Sequence, residues 1–235
     1  MLNHKKYLAA IALATLTLSS CSDDFLEIKP RGTDLEANYY QNQEEAFNGL
    51  VAIYDVVGMQ SGGYVTKLTA LNSASDDHFA GGGGPNDVTS IQVWSNYTLD
   101  PATGPQGDLW SKGFSGVFRA NVLLQKLPEV PMDETLKARY AAEATFLRAY
   151  FYFDLVRLFE NVPLFTEPVA TSEMYNVLQA DPADVYAQIE ADILEALPNL
   201  PASLNLETEA GRITEGAARA ILGKVYLQQE KFALA

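Results

Sequence analysis

The chain has 235 residues, a formal net charge of -14 at pH 7, 48% hydrophobic residues and only 20% charged residues. A chain of this length and apolar content can bury a sizeable core, which excludes a disordered protein. Its negative net charge would repel a phosphate backbone, so we expect no nucleic acid partner. Sugars and other neutral ligands remain possible. The single cysteine, Cys21, excludes an internal disulfide framework and CxxC-type metal sites.

The N-terminus reads as a lipoprotein signal peptide over residues 1–20. Two lysines precede an apolar run over residues 7–18, which is too short for a transmembrane helix and typical of a secretory signal. The Leu-Ser-Ser-Cys ending resembles the lipobox of bacterial lipoproteins, which implies acylation of Cys21 and an acylated N-terminus and tether over residues 21–35. Two acids directly after the cysteine resemble a surface-export signal, with solvated acids on a tether as the alternative.

A first helix and a long loop region follow. Asn42 and Glu45 form a capping-box pattern, and apolar residues at helical spacing predict an amphipathic helix over about 43–57. Eleven of the sixteen glycines then fall between Gly58 and Gly116. This composition predicts a loop-rich ligand region over about 58–112, with short strands near 91–97. Loops of this kind commonly carry binding groups.

Helical patterns dominate the remainder of the chain. Apolar spacing predicts a helix over about 113–127 and a longer one that runs from a cap at Asp133 to residues 161–163. An aspartate-proline pair at 181–182 begins another helix, and Thr214 caps the next one.

The middle of the longest helix is the segment around which we expect the fold to be built. Residues 143–159 are too apolar for a helix with one wet side, so they predict a buried central helix. At 100° per residue, one narrow polar stripe, which alone can reach water or polar neighbours, contains Glu143, Tyr150, Asp154 and Arg157. Arg148 lies among the aromatic residues and needs a carboxylate, a carbonyl or a ring face as its partner.

The end of the chain carries the spacing of a helical repeat. The pattern of a tetratricopeptide hairpin is matched by Leu222, Gly223, Tyr226, Phe232 and Ala235. One such hairpin cannot bury its apolar face alone. We therefore predict helical repeats over about 113–235 that continue beyond residue 235, in the N-terminal part of a longer protein.

Four segments together resemble the SusD/RagB family of outer-membrane nutrient-binding lipoproteins. They are residues 21–26, WSKGFSGVFRAN at 110–121, ATFLRAYFYFDLVRLFENVPL at 144–164 and GRITEGAARAILGKVYL at 211–227. The resemblance runs along the whole length in the family's order. It implies a mainly α protein of tetratricopeptide-like helical hairpins, forming an α-α superhelix, with a long irregular loop region.

The resemblance also implies a function. Members of the family are lipid-anchored at the outer membrane and exposed on the cell surface. They capture oligosaccharides and deliver them to a SusC-type TonB-dependent transporter. They are not enzymes, and no cofactor is expected. A surface lipoprotein that binds only peptide or protein cargo is the alternative.

Two polar clusters in the loop region are the candidate ligand contacts. An aromatic ring can stack on the apolar face of a sugar while amides and carboxylates accept its hydroxyl hydrogens. Trp94, Asn96 and Tyr97 supply this combination, and Asp76 with Asp77 forms the second cluster. The alternatives are loop packing for Trp94 and a solvated or loop-capping role for the acids.

Catalytic and nucleotide-binding interpretations find no support. The glycine run at 81–84 lacks the lysine and hydroxyl residue of a phosphate loop, and no GxSxG motif accompanies His78. Adjacent Asp76 and Asp77 diverge in an extended chain and are unsuited to flank one glycosidic bond. Calcium held by these acids and Asp87 stays an alternative, although the EF-hand spacing is absent.

Overall fold

The computed structural model describes residues 39–59 and 67–235, and within them seven α-helices and one two-stranded ladder form. The helices are α1 (Gln43–Met59), α2 (Lys67–Ser73), α3 (Thr89–Ser95), α4 (Gln106–Lys126), α5 (Glu134–Phe159), α6 (Pro182–Ala196) and α7 (Glu215–Gln228). Strands β1 (Val162–Pro163) and β2 (Gln179–Ala180) pair antiparallel, with Val162 opposite Ala180. The prediction of a mainly α fold is confirmed. The predicted signal peptide and Cys21 lie outside the described residues.

Local capping rules place the helix starts where the sequence predicts them. The side chains of Asn42, Asp133, Asp181 and Thr214 each accept a hydrogen bond from a backbone amide two or three residues ahead, at 2.8 to 3.2 Å. These bonds satisfy amides that the first turn of a helix leaves unpaired. The long α5 therefore begins directly after Asp133, as its sequence indicates.

Two predictions for the loop region were wrong. Residues 89–95 form the helix α3 and not strands, because Ile91 and Trp94 share one helical face and pack on the same small apolar cluster. Helix α4 begins at Gln106, seven residues before the predicted start at 113. Its first turn carries Gly107 and Asp108 on the exposed side, so an apolar periodicity becomes visible only further along the chain.

Helix α5 is the buried centre of the fold, as predicted. It packs between α4 and α6, and α1 lies across α4 and α5. Phe151, Tyr152 and Leu155 are each at most 1% exposed. Close approach of α4 depends on Gly116, where a Cβ atom would lie 2.3 Å from the Phe151 ring. In the described part of the chain, neither α5 nor any other helix is long and apolar enough to cross a membrane.

The polar stripe of α5 reaches polar neighbours, and its two carboxylates, Glu143 and Asp154, are buried, whereas Tyr150 is half-buried and Arg157 is exposed. Glu143 is 0% exposed, and its carboxylate accepts hydrogen bonds from the Tyr54 hydroxyl (2.6 Å), Arg139 Nε (3.0 Å) and Arg212 Nη2 (2.6 Å). Burial, together with the neighbouring Glu143 carboxylate, raises the pKa of Tyr54, so this hydroxyl stays a neutral donor. This network joins α1, α5 and the segment that leads into α7.

Arg148 is paired with a carboxylate and with two oxygen acceptors, as its buried position requires. Its guanidinium pairs with Asp192 of α6 through two hydrogen bonds of 2.7 and 2.8 Å. Nη1 donates to Asn121 Oδ1 of α4 and to the Thr166 carbonyl, both at 2.9 Å. Burial opposes the charge, but the bonds to Asp192 outweigh it, and the pKa of Arg148 is raised. One side chain therefore connects three helices and the segment after β1.

Replacement of Arg148 by Met should destabilise the protein strongly. The change leaves the Asp192 carboxylate buried without its partner, which typically costs about 3–5 kcal/mol. The matched control is Arg219→Met, because Arg219 pairs with Glu215 on the exposed side of α7 and should contribute less than about 1 kcal/mol. Urea unfolding of both variants measures the difference. Equal losses would contradict the assigned role of the buried pair.

Replacement of Gly116 by Ala should also destabilise the protein, by about 1–3 kcal/mol, because the new methyl group overlaps the Phe151 ring. Gly107→Ala in the same helix is the control. No atom lies within 4 Å of a Cβ at Gly107, so the higher helix propensity of alanine should stabilise α4 by up to about 1 kcal/mol. Thermal unfolding should give shifts of opposite sign, and a neutral Gly116→Ala variant would contradict the close packing of α4 on α5.

Candidate functional site

Residues 67–105 form a substructure with its own small apolar core, which we call the platform. It consists of α2, the loop to α3, α3 itself and the loop that leads into α4. Its core and the neighbouring α4 and α5 meet in one cluster of Ala70, Ile91, Leu109, Trp94, Leu158 and Phe159. The platform is thereby attached to the N-terminal part of α4 and the C-terminal end of α5.

Hydrogen bonds hold the loop after α2 alongside the end of α3. The bonds are Tyr97 hydroxyl to the Ala74 carbonyl, Ala80 amide to Ser95 Oγ and Gln92 Nε2 to the Gly81 carbonyl, each at 2.9 Å. As a result, the two polar clusters singled out in the sequence lie at the same end of the platform, although about twenty residues separate them along the chain.

Tyr97 presents the most exposed ring among the predicted contacts. It is 76% exposed and adopts a left-handed backbone conformation with φ of 55°. Such a conformation costs a non-glycine residue about 1–3 kcal/mol and persists only where surrounding contacts hold it. Here the hydroxyl bond to Ala74 holds the ring while leaving it open to solvent.

Three other predicted contacts of the platform are also open to solvent. Asp76, Asp77 and Asn96 are exposed, and the Asn96 backbone amide caps the end of α3. Neither acid makes a hydrogen bond or ion pair with another residue that the structure describes. Asn96 adjoins Tyr97 in the chain, and the two acids follow Ala74, whose carbonyl accepts the Tyr97 hydroxyl hydrogen. Free carboxylates, an amide and an exposed aromatic ring are groups that a sugar with several hydroxyls can use.

Trp94 points in the other direction. It is half-buried and lines a cavity of about 390 Å³ between the platform and α5, together with Leu109, Leu158 and Phe159. Its indole N–H is buried and has no hydrogen-bond partner. Gln106 Oε1, at the edge of the same cavity, also has none. The apolar face of Trp94 thus packs against the small core, while the remainder borders empty space.

Phe79 is an exposed aromatic residue that the sequence did not single out. It is 82% exposed and directly precedes Ala80, whose amide is bonded to Ser95. In a sequence, an isolated phenylalanine looks like a core residue, and only the tertiary structure shows that it is not. Phe79 belongs to the same loop as Asp76 and Asp77.

A second concave surface lies along α4. It has a volume of about 300 Å³ and is lined mainly by apolar residues, including Trp110, Phe114, Phe118, Phe165 and Tyr175. Trp110 is half-buried, with its ring centroid 4.7 Å from that of Phe114. Of the polar lining residues, Asn121 is already bonded to Arg148 and Phe165. This groove therefore offers few groups for sugar hydroxyls.

The calcium alternative finds no cluster of ligands in the part of the chain that the structure covers. In those residues no group of three or more histidine, cysteine, aspartate or glutamate side chains could hold a metal ion. Asp87 Oδ2 instead accepts a hydrogen bond from the Gly83 amide at 2.8 Å and so closes the glycine-rich turn.

Comparison with known proteins shows the family. A family model described as "Starch-binding associating with outer membrane" matches residues 24–227, and this chain belongs to that SusD-like family. A solved "Laminarin binding SusD-like protein" is 51% identical with a TM-score of 0.79, and the match covers 83% of this chain and 42% of that chain.

Other relatives agree with this assignment. SusD-like protein P38 of Formosa agariphila is 31% identical over 191 residues, which are 81% of this chain and 36% of that protein. The solved surface glycan-binding protein A of Bacteroides uniformis is 25% identical with a TM-score of 0.72, covering 81% of this chain and 43% of that chain. This chain thus spans less than half the length of these relatives. The family description and the names of both structures refer to binding and not to catalysis, in agreement with the expectation that the protein is not an enzyme.

Proposed function

We propose that this protein is a cell-surface lipoprotein that binds glycans of the laminarin type. The observation that carries the proposal is the 51% identity to a laminarin-binding protein over 83% of the chain, a match that also reproduces the backbone with a TM-score of 0.79. The acidic charge of the chain does not oppose a neutral glucan, whereas it would oppose an anionic ligand.

The platform is the surface that we assign to the glycan. Asp76, Asp77, Trp94, Asn96 and Tyr97 are the predicted contacts. The exposed Tyr97 ring can stack on the apolar face of a glucose unit, and the two carboxylates and the amide can accept or donate hydrogen bonds at its hydroxyls. The ring is held in place before binding, so little conformational entropy is lost when the sugar arrives.

The location and the partner follow from the N-terminal sequence and the family. We infer that Cys21 is acylated and that the lipid holds the protein at the outer membrane, which accords with the family description of outer-membrane association. We further infer that the captured oligosaccharide is delivered to a SusC-type TonB-dependent transporter. A peptide or protein cargo is the competing function.

Replacement of Tyr97 by Ala in the full-length protein should weaken the binding of laminarin oligosaccharides about tenfold, or about 1.4 kcal/mol, because the stacking ring is lost. Tyr97→Phe keeps the ring but loses the bond to Ala74, so a smaller loss of about two- to fivefold is expected. Isothermal titration calorimetry measures both effects.

The control for this experiment is Tyr175→Ala, since Tyr175 is 87% exposed but lies on a different segment. It should bind like the wild-type protein. Titration with starch oligosaccharides and with peptides completes the comparison. A wild-type protein that binds peptides and no glycan would replace the proposal by the cargo alternative.

Replacement of Cys21 by Ser should release the protein from the membrane fraction of its host, because the thiol that carries the acyl chains is lost. Cell fractionation followed by immunoblotting measures the distribution. Ser20→Ala is the control, because it keeps a small residue beside the cysteine and should leave the protein anchored. Retention of the Cys21→Ser variant in the membrane would contradict the lipid anchor.

A further inference from the structure

The platform is joined to the helical body by a polar contact at the start of α2. Lys67 Nζ lies 2.5 Å from Asp154 Oδ2 and 3.1 Å from the Tyr150 hydroxyl, both on α5. The ammonium group is also 4.9 Å from the centroid of the Tyr150 ring. The Asp154 side chain is 6% exposed and that of Lys67 is 21% exposed, so this pair is largely shielded from water and is stronger than a fully exposed ion pair.

Asp154 has a second cation, which makes Lys67 dispensable for charge balance. Arg157 Nη2 lies 2.6 Å from Asp154 Oδ1 on the same helix. The Arg157 guanidinium is held independently, 4.0 Å from the centroid of the Phe153 ring and bonded to the Phe153 carbonyl at 2.9 Å. Without Lys67 the buried carboxylate would therefore still be paired. The effect specific to Lys67 is to connect α2 with α5.

The apolar part of the same interface is incompletely packed. A pocket of about 390 Å³ opens beside this apolar contact and is lined by Trp94 of the platform and by Leu158 and Phe159 of α5. Side chains that border a void lack contact atoms on that side and lose the corresponding dispersion energy. The apolar contacts alone therefore restrain the orientation of the platform less than a filled interface would.

A direct covalent and hydrogen-bonded path leads from Lys67 to the exposed ring. Helix α2 spans only Lys67–Ser73, or about 10 Å, and Ala74 follows immediately. The Ala74 carbonyl accepts the hydroxyl hydrogen of Tyr97. On a lever of this length, a tilt of about 10° would move Ala74 by roughly 2 Å, enough to misplace a ring that must stack on a sugar.

We propose that Lys67 is a positioning residue for glycan binding: it sets the orientation of the platform through Asp154 and Tyr150, and so the place of the Tyr97 ring, without touching the sugar. The proposal rests on the function proposed above. It assigns to the Lys67 contact a role in ligand affinity that neither the sequence nor the family description indicates.

The test compares affinity with stability in the full-length protein. Lys67→Met should weaken the binding of laminarin oligosaccharides about three- to tenfold, with a small change in Tm. Lys67→Arg, which keeps a cation that can reach Asp154, should restore most of the affinity. The control is Lys137→Met, because Lys137 is also paired with a carboxylate, Glu134, but at the other end of α5. It should leave the affinity unchanged.

A double-mutant cycle separates positioning from a general structural role. If Lys67 acts through the ring, Lys67→Met should cost almost nothing in a protein that already carries Tyr97→Ala. Losses that simply add would overturn the proposal. If Lys67→Met fails to fold, the affinities of Lys67→Gln and Lys67→Arg are compared instead. Equal affinities of these two variants would also overturn the proposal.

The same titrations distinguish this proposal from the one on which it rests. A wild-type protein that binds no glycan would remove the proposed function and this inference together. A wild-type protein that binds laminarin and is weakened by Tyr97→Ala, but not by Lys67→Met, would overturn the role of Lys67 alone.

Discussion

The structure depends on one constraint, which is that α5 is buried on nearly all sides and yet carries three charged residues facing inward. A buried charge is tolerated only when it is paired and hydrogen-bonded. Glu143 is hydrogen-bonded to residues of α1 and of the segment before α7. Arg148 is bonded to α4 and α6, and Asp154 to α2. The charges of one helix thereby determine which elements must surround it and in which register.

This arrangement divides the described residues into a helical body with a large buried core and a smaller platform. The body is held by large fully buried side chains such as Phe146, Phe151 and Tyr152, and by the networks around Glu143 and Arg148. The platform has a smaller apolar core and borders a cavity. A firm base that carries a less tightly packed surface is a suitable design for a binding protein, because binding loops are usually positioned by a rigid scaffold.

The two aromatic residues of the platform divide its roles between them. Trp94 faces inward, where it supports the contact with α5, and Tyr97, three residues later, faces solvent. The left-handed backbone at Tyr97 turns the chain at the end of α3 and makes this change of direction possible. The hydrogen bond from the Tyr97 hydroxyl to the Ala74 carbonyl holds the ring in this exposed position.

The sequence by itself determined the features that depend on near neighbours or on composition. Capping side chains such as Asp133 and Asp181 act within three residues, and the apolar density of residues 143–159 requires burial in any packing. The family was also accessible from motifs in order, whereas the position of the glycan-binding loops stays a prediction. Only the tertiary structure decided that residues 89–95 form a helix, that Glu143 meets Arg212, and that Lys67 meets Asp154. Those outcomes depend on partners 69 and 87 residues away in the case of the two ion pairs, and no local pattern records which distant side chain will arrive.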